Sequence, residues 1–230
     1  MSEYQYYEFA AIDQPLTNDD MAALRAVSTR ATITPTGFVN HYEWGDLKAD
    51  PSDWMRRYFD AFVYVADWAQ CRFALRVPRD IFGKAELDPF CMKRSLTIDA
   101  ADAHWIVDWW LEDSENHDRF AEDDGRGRMG RLMPLRDELI RGDARALYLG
   151  WLAGAAKGEV PESALEPPVP AGLSQLSAAQ AALAAFLEID ATWWRRPRWD
   201  RTTARVPLAT RRRLSMVGCN HCRRTSFDRC

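Results

Sequence analysis

The sequence predicts an α+β fold: a small sheet in the order β-α-β-α-β plus a hairpin, packed with helices and followed by a C-terminal helical extension. Three observations predict it. Aromatic and β-branched stretches alternate with segments of helical spacing as far as Glu112. Helical spacing alone recurs from Pro134 to Ile189. The chain has 230 residues, 47% hydrophobic and 28% charged, so it can bury a substantial core without the help of a disulfide or metal.

The elements follow in order. Residues 4–12, rich in tyrosine, read as a strand. Thr17 is a helix N-cap with Asp20 three residues on, and Met21, Leu24 and Val27 give a helix over 18–29. Residues 32–44 return to β-type side chains, bent at Pro35 and Gly37. Asp50 can cap, Pro51 fits the first helical position, and Met55, Tyr58, Phe59, Phe62, Val65, Ala66 and Ala69 mark one face, predicting an amphipathic helix over 51–70. Phe73, Leu75 and Val77 alternate against Ala74 and Arg76 in a strand over 72–78. Residues 79–94 are mixed and read as loop. A hairpin is expected over 95–112, with Trp105, Val107, Trp109 and Leu111 on one face of its second strand and Ile106, Asp108 and Trp110 on the other. Glu112–Arg128 reads as an exposed charged loop. Short helices follow from Pro134, with Asp143 as a capping residue, and a last helix is expected over 175–190. The domain expectation is therefore an α+β body over 1–157, a proline-rich linker over 158–172, a C-terminal helix over 173–192 and a tail over 193–230.

Charge divides the chain at the same place. Residues 194–230 hold 11 arginines against Asp200 and Asp228, a net of +9, whereas residues 1–193 hold 19 basic and 32 acidic side chains, a net of -13. An acidic body repels nucleic acid and anionic membranes; nucleic acid is expected as a partner only through non-specific contacts of the tail. Helical apolar spacing is lost where the charge reverses, so 193–230 reads as a disordered or aberrant C-terminus. No apolar run approaches the roughly 20 residues that span a bilayer, and the first residues do not resemble a secretory signal. The expectation is a soluble cytoplasmic protein that does not engage membranes. An odd cysteine count argues against a disulfide framework.

Tyr4–Thr17, containing Tyr-Tyr-Glu-Phe-Ala-Ala-Ile-Asp-Gln-Pro-Leu-Thr, and Ser28–Asp50, containing Thr-Ile-Thr-Pro-Thr-Gly-Phe-Val-Asn-His-Tyr-Glu-Trp-Gly-Asp, resemble a group of uncharacterised bacterial proteins. The resemblance covers residues 4–80 and continues in 129–152 and 173–190. It implies a bacterial domain and brings no activity, cofactor or catalytic residue with it.

Candidate chemistry is sparse. His41 and Glu43 share a face if 40–44 is a strand, with Asp46 just beyond, which suggests a general base or part of a metal site; a structural or partner-facing polar strand is the competing reading. Trp105, Trp109 and Trp110 suggest a binding platform, against core packing or a protein interface. Cys219, Cys222 and Cys230 could offer thiolates to zinc, but His221 and Cys222 are adjacent and no separated ligand pairs exist, so no metal site is expected. The loop Asp123–Arg128 lacks the ligand spacing of an EF-hand and the ending of a P-loop. The expectation is a non-catalytic domain, without a cofactor, that engages a protein partner or itself. The alternative is a small-molecule or nucleotide-processing enzyme using His41, Glu43 and Asp46.

Overall fold

The tyrosine-rich opening forms β1 (Gln5–Ala10), and the bend at Pro35 divides the next β-type stretch into β2 (Thr32–Thr34) and β3 (Gly37–Tyr42). The computed structural model describes residues 4–68, 70–112, 124–160 and 165–195. Between β1 and β2 runs α1 (Asn18–Val27), whose Thr17 side chain accepts from the Asp20 N–H while the Asp20 carboxylate accepts from the Thr17 N–H, the expected capping box. Asp50 caps α2 (Pro51–Arg57) by accepting from the Ser52 N–H.

Helix α2 is much shorter than the helix over 51–70 that the sequence predicts. It ends at Arg57, and β4 (Ala61–Ala66) follows. Every residue of β4 is buried, because the strand lies at the centre of the sheet with a covered face on each side. A strand buried on both faces shows a continuous apolar run that can mimic one face of a helix. The β-branched and aromatic content of Phe62-Val63-Tyr64-Val65 favours the extended state. Asp60 makes the break: its N–H donates to Ala10 O, and one carboxylate oxygen accepts from the Ile12 and Asp13 N–H groups.

β5 (Gln70–Pro78) pairs with β4, and α3 (Lys84–Leu87) with a following 3-10 turn occupies part of the segment expected as loop. The hairpin is β6 (Leu96–Ala101) and β7 (His104–Leu111). Asp102, at φ 48°, begins its two-residue turn, a conformation that aspartate tolerates. The seven strands lie in the order β2-β3-β1-β4-β5-β7-β6, every neighbouring pair antiparallel. The α+β expectation holds.

Helices α1 and α2 cover one face, where Leu24, Trp54 and Met55 pack on Phe9, Phe38 and Phe62. On the other face lie α4 (Arg128–Leu132), α5 (Pro134–Ile140), α6 (Arg145–Ala156) and α7 (Ala178–Phe186). Asp143 accepts from the Arg145 N–H at the start of α6. Gly150 lets α6 close on β7: a Cβ there would fall 2.7 Å from the Trp109 ring. The C-terminal α7 belongs to this same core, with Leu183, Phe186 and Leu187 buried against the sheet. In the segment read as linker, the Tyr148 hydroxyl donates to Glu166 and Val169 packs on the core. Helix α8 (Ala191–Arg195) runs past the point where the apolar spacing breaks, and Trp194 is partly buried on the core. The expectations for 113–123 and 196–230, Cys219, Cys222 and Cys230 among them, lie outside the described residues. Among the described residues no helix is long and apolar enough to cross a membrane.

Candidate functional site

Alternate residues of a strand face opposite sides of the sheet, so β1, β4, β5 and β7 each send one set of side chains toward α1 and α2. Helix α2 is short. On this face Gln5, Tyr7, Phe62, Tyr64, Arg72 and Trp110 floor a cleft of about 660 Å³. The β3–α2 loop contributes Gly45 and Asp46, and the β4–β5 connection contributes Trp68. Trp68 is 40% exposed, and Trp44, beside Gly45, is 69% exposed.

The floor is a connected polar network. Gln5 Oε1 accepts from the Tyr64 hydroxyl at 3.0 Å, and Gln5 Nε2 donates to Gly45 O at 2.8 Å. The Tyr7 hydroxyl lies 2.8 Å from Gln5 Oε1 and 2.5 Å from Asp46 Oδ1, so one proton faces two acceptors. Burial, then the bond to Asp46, pushes the Tyr7 phenol far above its ordinary range; burial, then the negative charge of Asp46, does the same to Tyr64. Both phenols therefore stay protonated and serve as hydrogen-bonding groups rather than as bases.

Arg72 is 4% exposed. Its Nε lies 3.0 Å from each Asp108 oxygen, and its Nη2 donates to Asp108 Oδ2 at 2.6 Å and to Ser52 Oγ at 2.8 Å. The guanidinium lies 4.6 Å from the centre of the Trp110 ring. Among the described residues its Nη1 has no hydrogen-bond partner, and Arg72 lines the cleft. Two N–H donors of a buried, oriented cation are thus open to whatever enters. On the opposite wall Asp46 Oδ1 accepts from Tyr7 and the Leu47 N–H, and Oδ2 is an open acceptor. Gln70 accepts from Trp68 Nε1 at 2.9 Å and lines the same cleft.

The structure divides the His41, Glu43 and Asp46 cluster between the two faces. His41 pairs with Tyr6 across the β1–β3 ladder and stacks on Tyr4, on the face opposite Tyr7. Glu43, exposed beyond β3, acts on the Tyr4 phenol. Asp46 alone reaches the cleft. The tryptophans divide likewise. Trp109 is fully buried, stacked on Phe73 with its Nε1 donating to Ala146 O; Trp105 is buried and donates to Arg79 O and Phe82 O. Neither offers a free face, and Trp110 is the member of the trio that lines the cleft. Among the described residues no three histidine, cysteine or carboxylate side chains converge to hold a metal ion.

Gln5, Tyr7, Tyr64, Trp68 and Arg72 escape the sequence reading. The available signal was a pair of arginines, Arg72 and Arg76, in a mostly apolar strand, facing a hairpin strand that carries Asp108 and Trp110. No family model, curated protein or solved structure matches the chain.

Proposed function

We propose that this chain is a non-catalytic binding domain whose aromatic cleft receives a segment of a protein partner. One observation carries the reading: Arg72 is held rigidly by Asp108, Ser52 and Trp110 while its Nη1 stays open, on a floor walled by Tyr7, Phe62, Tyr64, Trp68 and Trp110. Aromatic surface with a few fixed polar groups is the composition of a recognition site. The described residues that line the cleft include no serine, cysteine, histidine or lysine, and its phenols are held protonated, which favours recognition over chemistry. The resemblance of residues 4–80 to bacterial proteins, together with the odd cysteine count, supports a bacterial, cytoplasmic setting.

The test is retention of immobilised ten-residue peptides from a random library by the full chain and by Trp68→Ala. The wild type should retain a defined subset, and the variant should lose at least fivefold in affinity for it. Equal retention by the two proteins would remove the cleft as the binding site.

A further inference from the structure

We infer that the partner segment presents a lysine or arginine side chain to the Asp46 end of the cleft and a backbone carbonyl to Arg72. This deepens the reading above and rests on it. Four observations on charge and shape lead there.

The positive charge of Arg72 is already matched by Asp108, so the floor is close to neutral. The charge left at the mouth is a carboxylate: among the described residues Asp46 Oδ2 has no hydrogen-bond partner. An anionic ligand would meet this unmatched negative charge; a cation would complete it.

The walls suit a cation as well. The Tyr7 and Tyr64 rings and the half-exposed Trp68 flank the carboxylate end, and aromatic faces attract ammonium and guanidinium groups while covering their apolar stems. Asp46 is hydrogen-bonded to β1 through Tyr7, and Arg72 lies two strands away on β5, about 10 Å at the usual strand spacing. That span suits a long basic side chain together with the peptide group that carries it. Finally, residues 1–193 have a net charge of -13, which draws basic partners and repels acidic ones.

The experiment titrates the full chain with four capped tripeptides, acetyl-Gly-X-Gly-amide with X as Arg, Lys, Gln or Glu, followed by tryptophan fluorescence. Arg and Lys peptides should bind at least fivefold more tightly than the Gln peptide, and added salt should erode that preference. Asp46→Asn, which keeps an oxygen for Tyr7 and the Leu47 N–H, should abolish it; Trp68→Ala should weaken all four. Equal binding of the Arg and Gln peptides, still weakened by Trp68→Ala, would overturn the cation assignment and leave the binding domain standing. A preference for Glu would overturn it in favour of an anion on Arg72. If no tripeptide binds and the library retains nothing, both readings fall.

Discussion

The two faces of the sheet use the same strands and differ in what those strands present. Toward α4–α7, β4, β5 and β7 present Ala61, Val63, Val65, Cys71, Phe73, Leu75, Val77, Trp105, Val107, Trp109 and Leu111, all buried and apolar apart from the Trp indole N–H groups, which are hydrogen-bonded. Toward α1 and α2 the intervening positions bring Arg72, Arg76 and Asp108, with Gln5 and Asp60 alongside. An apolar face can be closed by any helix with matching shape, because dispersion and burial are non-directional. A face that holds charge must satisfy each polar atom individually, and where α2 stops short some of those atoms line the cleft.

Four measurements can break or sharpen that contrast. The largest effect is expected from Asp108→Ala, which strands the buried Arg72 charge: urea unfolding should show a loss of about 3–5 kcal/mol. The double replacement Arg72→Met with Asp108→Leu should cost much less, since it removes both charges. A comparable loss in the double variant would mean that shape, not charge pairing, governs this face.

Next is Asp60. Burial alone would raise its pKa, but the Ile12 and Asp13 N–H groups and Arg76, 2.6 Å away, outweigh that and hold the carboxyl below its usual range. A depressed folded-state pKa stabilises the protein above the ordinary carboxylate pKa, and that contribution is lost as pH falls through the folded value. Asp60→Asn should cost about 1.5–3 kcal/mol at neutral pH and flatten the acid limb of stability against pH. An unchanged acid limb would assign that limb to other carboxylates.

On the apolar face, Gly150→Ala forces a methyl against Trp109 and should cost about 1–3 kcal/mol, with a change in tryptophan fluorescence. A neutral result would show that α6 can slide away from β7. The smallest effect belongs to Trp68→Ala, whose stability change should stay within about 0.5 kcal/mol although ligand retention falls.

Local chemistry was legible in the sequence; the meeting of distant strands was not. The capping pair of Thr17 and Asp20, the start of α2 at Pro51 and both faces of β7 follow from residues a few positions apart. β4 does not, because its six buried residues lack the alternation that marks a strand with one wet face. The cleft was illegible for another reason. Register places Arg72 opposite Trp110 and two residue pairs from Asp108, and a loop brings Asp46 to Tyr7, 39 positions earlier. Asp46 drew notice for its neighbours in the chain, His41 and Glu43, whereas its partner in space is a phenol.

Strand β5 ties the cleft floor to the rest of the molecule. Arg72 stands between Cys71 and Phe73, both fully buried in the opposite core, and is flanked in the ladder by Tyr64 and Trp110. The cleft floor cannot shift without prising Phe73 from Trp109. On the proposed reading the cleft would enter an encounter already shaped, the entropy of docking would fall almost wholly on the incoming chain, and stiffening that chain would be the direct route to tighter association.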